Sequence, residues 1–147
     1  MQSLLQRFEG ELSNPQGEGL VALAGTFAEI QKHLASHFAK EEEVFYPALA
    51  TALTATDMEI AKLNDDHSDV RETSSAFREL LARAHSGSEL PVSQRAELSS
   101  LGWELWNLIS HHIEEEEQGL LAFADQTLDP DTQARLAAQM LSLDKPK

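Results

Sequence analysis

Apolar residues recur along this chain at helical spacing, and almost nowhere do they alternate as a strand would require. Leu4, Leu5, Phe8 and Leu12 make one stripe, predicting a short first helix over about residues 1–13 that Asn14-Pro15 and Gly17 bring to a stop. Leu20, Leu23, Phe27, Ile30, Leu34 and Phe45 predict a second helix from about Gly19 to Leu53, with Pro47 kinking its last turns. Thr56 and Glu59 have the spacing of a capping box, opening a third helix to about Ala84 whose stripe is Ile60, Leu63, Val70, Phe77 and Leu81. After a loop over 85–91, Ser93 is the expected cap of a fourth helix that ends near Asp125 and carries Leu98, Leu101, Leu105, Leu108, Leu120 and Phe123. Asp129-Pro130 reads as cap and first-turn proline of a short terminal helix, followed by a frayed DKPK tail. Long helices with short connections predict an all-α, up-down-up-down four-helix bundle with a shortened first helix and a short C-terminal one. One domain is expected over residues 1–147, its core spanning about 4–125.

The stripes are interrupted by polar residues that share their angle. On the fourth helix His112 and Glu116 fall within roughly 20° of the apolar centre, whereas His111, Glu114 and Gln118 lie on the opposite side. On the second helix Glu41 sits near the middle of the stripe and His37 within about 50° of it, while His33 is on a flank and Glu42 and Glu43 turn progressively outward. His67 lies on the stripe of the third helix. HFAKEE at 37–42 and HIEEEE at 112–117 are local echoes of one another. Burying two carboxylates with three imidazoles is very costly unless something compensates their charge. Two His-x-x-x-Glu pairs on different helices, with an inward histidine on a third, therefore point to a metal more strongly than to a plain polar network.

Composition narrows what that metal site can be. With no cysteine among 147 residues, thiolate zinc sites, cysteine-ligated clusters and disulfides are excluded. A formal charge of −14 disfavours nucleic acid and anionic membranes as partners. No apolar run reaches the roughly 20 residues of a membrane span. MQSLLQRFEG has neither the basic start nor the apolar stretch of a secretory signal, so a cytoplasmic protein is expected. Nitrogen and carboxylate donors without sulfur suit iron, manganese or zinc. Two carboxylates from different helices can each bridge a pair of metals about 3.5 Å apart. Neither Glu-x-x-His nor His-Glu-x-x-His occurs, which argues against a ferritin-type ferroxidase and a zinc protease. No catalytic triad or phosphate loop is visible, so an enzyme is not the expectation.

HLASHFAKEEEVFYPAL (33–49), DDHSDV (65–70) and HHIEEEEQGLLAF (111–123) resemble the second-, third- and fourth-helix motifs of the hemerythrin-like (HHE cation-binding) domain family. The resemblance implies a four-helix bundle around two non-haem irons. His37, His67 and His112 would be terminal ligands, and Glu41 and Glu116 would bridge. The family also supplies a histidine from its first helix. MQSLLQRFEGEL resembles only the second half of that helix, so one iron or none is the outcome if no substitute exists; His33, water or another protomer are the candidates. The implied function is binding or sensing of a small diatomic gas, dioxygen or nitric oxide. The alternatives are iron handling or repair of iron centres, and a regulatory interaction module that has lost full metal binding. Trp103, which points away from the stripe, would mark a protein partner or homodimer contact in the last case.

Overall fold

A computed structural model describes residues 1–13, 15, 17–52, 56–85 and 90–145, with the backbone alone at position 85. The architecture is all-α, with no strand among the described residues. Helix α1 spans Gln2–Leu12, α2 Glu18–Lys40, α3 Tyr46–Ala52, α4 Asp57–His85, α5 Val92–Glu115, α6 Leu121–Thr127 and α7 Pro130–Ser142. Two single-turn π segments join them: π1, Glu41–Phe45, between α2 and α3, and π2, Glu116–Leu120, between α5 and α6.

Several boundaries follow from local chemistry. Gly17, with φ of 55°, occupies the left-handed region that other residues avoid, and its carbonyl accepts from Leu20 N–H at 3.1 Å as α2 begins. At α7 the Asp129 carboxylate accepts from the Thr132 N–H at 2.8 Å, with Pro130 in the first turn, as the sequence pattern predicts. Ser93, by contrast, is not a cap. The helix opens one residue earlier, at Val92, and the Pro91 carbonyl accepts from Arg95 N–H at 3.0 Å. Pro47, expected to kink the last turns of the second helix, is the second residue of α3, directly after π1. It has no N–H to give to the Glu43 carbonyl, and Glu43 lies inside π1, where the hydrogen-bond ladder is already re-registered. Asn14, Leu53 and most of the loop expected over 85–91 lie outside the described residues, as does the His85 side chain.

The chain divides into two compact units, Met1–His33 with Ser68–Ser110, and Leu34–His67 with His111–Lys147. The first unit buries Leu4, Leu5, Phe8 and Leu12 of α1 together with Leu23, Phe27, Phe77, Leu98 and Leu105. Phe77 is its aromatic hub, edge-on to Phe8 at 5.6 Å and to Phe27 at 4.9 Å between centroids. Gly102 of α5 is buried here because Leu12 lies against it: a Cβ at this position would collide with Leu12 Cδ2 and stand 3.2 Å from Phe77 Cε2.

The second unit has a core of Phe45, Tyr46, Leu49, Ile60, Leu63, Leu120 and Ala124, with Leu128 and Met140 packed against it. The carboxyl-terminal residues are not frayed throughout, as the sequence suggested. Asp144 accepts from Ser36 Oγ at 2.7 Å and from Lys40 Nζ at 2.6 Å, tying the end of α7 to α2, and α7 packs on π1. No helix among the described residues is long and apolar enough to cross a membrane.

Candidate metal centre

All five inward polar residues belong to the second unit. His37 is in the last turn of α2, His67 in α4 and His112 near the end of α5, while Glu41 and Glu116 are the first residues of π1 and π2. Each π turn is closed by a bond of i, i+5 type, from Tyr46 N–H to the Glu41 carbonyl and from Leu121 N–H to that of Glu116. An added residue rotates everything downstream by roughly 100°. Ala124 consequently faces inward after π2, and Phe123, expected in the core, is turned out to 39% exposure. Such single-turn insertions recur at functional sites.

One donor atom from each of His37, Glu41, His112 and Glu116 lies within 4.8 Å of the others. His37 Nε2 is 2.6 Å from Glu41 Oε1 and 3.4 Å from Glu116 Oε2. His67 joins through its Nε2, 2.9 Å from Glu41 Oε2 and 3.2 Å from His112 Nε2. His112 Nε2 is 3.7 Å from Glu41 and 3.8 Å from Glu116. Glu41, His67, His112 and Glu116 are buried, and the His37 side chain keeps one edge open at 41% exposure while its Nε2 is buried. Phe38 stacks on His67 at 3.8 Å and meets His112 edge-on at 5.7 Å, and Tyr46 O–H donates to Glu41 Oε2 at 3.3 Å. His33 is exposed on α2 and is not a member of this group; His111 is exposed and pairs with Glu115 at 3.2 Å.

The electrostatics are those of a cluster short of positive charge. Burial alone would push the His37 imidazolium down, but the neighbouring Glu116 and Glu41 carboxylates prevail and raise it to about 9. Burial likewise opposes ionisation of Glu41, and contacts with His112, His37 and His67 overcome it, holding its carboxyl well below the usual range. For Glu116 burial wins, aided by the Glu41 carboxylate, and the group is pushed up. Two unit charges no more than 4.8 Å apart repel by at least about 3.5 kcal/mol at an effective dielectric of about 20, which opposes full ionisation of both carboxylates.

These donors fit a cation. His67 Nδ1 faces Glu42 Oε1 at 2.7 Å, a contact that favours the tautomer with its hydrogen on Nδ1 and so leaves Nε2, which faces Glu41 and His112, to a cation. His37 Nε2, although 2.6 Å from Glu41, is not aligned as a hydrogen-bond donor to any described residue. Imidazole nitrogens and carboxylate oxygens that converge in this way can hold a metal once it displaces the protons they carry.

Two neighbours of the cluster escaped the sequence reading. Glu42 was expected to turn outward, yet it reaches His67; Phe38 was not singled out, yet it is 2% exposed and covers two of the imidazoles. For Phe38 the signal was its spacing of four from Leu34 on the α2 stripe; for Glu42 it was adjacency to Glu41.

A helical bundle with paired His-x-x-x-Glu motifs and an imidazole between them defines a cation-binding domain class. The chain belongs to the hemerythrin HHE cation-binding domain family, whose model matches residues 1–124. No curated protein and no solved structure matches the chain. Helix α7 lies beyond the matched residues.

Proposed function

We propose that this protein holds two non-haem irons through His37, Glu41, His67, His112 and Glu116, and uses them to bind or sense a diatomic gas, dioxygen or nitric oxide. The observation that carries the reading is the convergence of three imidazole Nε2 atoms and two carboxylates in one buried cluster. When bound, an iron pair supplies reversible electron donation to a small ligand. The chain's own residues do the rest. Glu41 and Glu116, on facing motifs, would hold the metals and offset part of their charge. Phe38 and the apolar core around Tyr46 keep bulk water from His67 and His112. Tyr46 O–H steadies the Glu41 carboxylate.

The test is to supply iron during expression, purify without oxygen, count iron, and record spectra before and after admitting dioxygen or nitric oxide. About two irons per chain and a reversible near-ultraviolet band are expected. A protein that stays colourless after loading and air exposure overturns the gas reading. Iron handling is the second reading, favoured by the solvent-open edge of His37. Rapid transfer of the iron to a chelator or an apo acceptor, in place of retention, selects it.

A further inference from the structure

Beyond the five inward residues, two carboxylates approach the far nitrogens of the imidazoles. Glu42 Oε1 is 2.7 Å from His67 Nδ1, a hydrogen bond at the short end of the range. Asp66 Oδ2 is 3.8 Å from His112 Nδ1, about 1 Å too far for one. Both of these last atoms are buried, and neither has a hydrogen-bond partner among the described residues. A buried imidazole nitrogen facing a buried carboxylate oxygen, each unpaired, is an expensive arrangement to keep without a purpose.

The placement is systematic. Glu42 follows Glu41 on π1 and reaches across to α4; Asp66 precedes His67 on α4 and faces α5. Each outer carboxylate is thus the chain neighbour of one inward residue and the companion of an imidazole on the next helix. The His67 ring is further fixed by stacking on Phe38 at 3.8 Å and on Tyr46 at 5.8 Å, both with an interplanar angle of 22°. A carboxylate on the far nitrogen of a metal-bound imidazole fixes its tautomer, aims its lone pair and raises its basicity.

We propose that Glu42 and Asp66 are positioning residues, which orient the Nε2 lone pairs of His67 and His112 towards the metals. The proposal rests on the metal-centre reading above. Glu42 makes its hydrogen bond with the side chains as placed here. Asp66 and His112 close their gap when a cation draws Nε2 and leaves the proton on Nδ1. The two therefore differ in their signatures: Glu42 contributes to the fold and to the metal, Asp66 to the metal alone.

The experiment uses the full chain and its Glu42→Gln, Asp66→Asn and Glu116→Gln variants, titrated with ferrous iron against a chromophoric chelator without oxygen. Thermal midpoints of the metal-free proteins and reduction potentials of the loaded ones are measured alongside. Glu42→Gln and Asp66→Asn are each expected to weaken iron binding by about 10–100-fold and to move the potential positive, because a neutral amide replaces an anion beside the ligand. Asp66→Asn is expected to leave the metal-free midpoint unchanged or higher. Iron affinity within about twofold of the parent in both variants overturns the proposal, as does an Asp66→Asn protein whose loss appears only in the metal-free midpoint. Should Glu42→Gln fail to fold, Asp66→Asn still decides. If the parent chain binds no iron, the metal-centre reading falls first. If the parent binds, Glu116→Gln impairs binding and the outer variants do not, only the present proposal falls.

Discussion

Replacing Gly102 with alanine should destabilise the protein, although the same change at most helical glycines does the reverse. In a helix interior, glycine to alanine gains about 0.8–1.0 kcal/mol. At Gly102 the new methyl would overlap Leu12 Cδ2, approach Leu12 Cδ1 and Phe77 Cε2 to 3.2 Å, and find Leu12 only 1% and Phe77 0% exposed, with nowhere to retreat. Overpacking a closed core costs about 1–3 kcal/mol. The net is a loss of up to about 2 kcal/mol, or a fall in Tm of about 2–8 °C at this chain length. Thermal and urea unfolding of the metal-free protein measure it, with Gly25→Ala as the control: nothing lies within 4 Å of a Cβ there, so its midpoint should rise by about 0.5–1 kcal/mol. The decisive arm is Leu12→Ala, which itself costs about 2–5 kcal/mol but removes the colliding methyls. In that background Gly102→Ala should change sign and stabilise by about 1 kcal/mol. A Gly102→Ala protein that behaves like Gly25→Ala, or a penalty that persists without the Leu12 side chain, would refute the reasoning.

Four further outcomes are expected. Glu116→Leu, which removes a buried acid whose ionisation is opposed by burial and by Glu41, should raise the metal-free stability by about 1–2 kcal/mol while abolishing metal-dependent stabilisation, as read from Tm with and without ferrous iron. Metal affinity should rise with pH by about tenfold per unit until His37 loses its proton near 9, because the metal displaces that proton; the favourable contribution of charged His37 to the metal-free fold is complete below about 6.5 and lost as pH climbs through about 9, and a chelator titration from pH 6 to 10 checks the slope. Phe77→Ala should cost about 3–5 kcal/mol by denaturant melt, since the ring is fully buried between Phe8 and Phe27. Asp129→Ala should speed hydrogen exchange at Thr132; because the cap holds the Asp129 carboxyl below its ordinary value, protection in the parent is present above about pH 4 and is lost as pH falls through the lowered value.

The bundle and the five converging side chains could be read from the sequence because both depend on angle around a helix, and apolar spacing records angle. His112 and Glu116 stood on the stripe of one helix, Glu41 and His37 on or near another, and the structure brings them together with His67. What spacing could not report is a change of pitch. The two π turns re-register the residues after them, which is why Phe123 was misplaced. Nor does spacing reveal interactions made by flank residues: Glu42 was assigned outward by angle alone, and its contact with His67 depends on the reach of a flexible side chain. Asp144 was lost in a polar tail whose anchors, Ser36 and Lys40, are more than a hundred positions away.

The π turns also restrict the routes by which the site can disappear over evolutionary time. Each holds one residue more than an α-helical turn, and removing a residue from 42–44 or 117–119 would let the backbone relax to an ordinary helix. The same deletion would swing Phe45, Tyr46 and Leu49, or Leu120 and Ala124, by roughly 100° out of the hydrophobic core. A lineage abandoning the metal by deletion would therefore lose half of a folded protein with it. Decay must proceed by substitution, one donor at a time, and descendants without a working site should still carry both insertions as fossils of it.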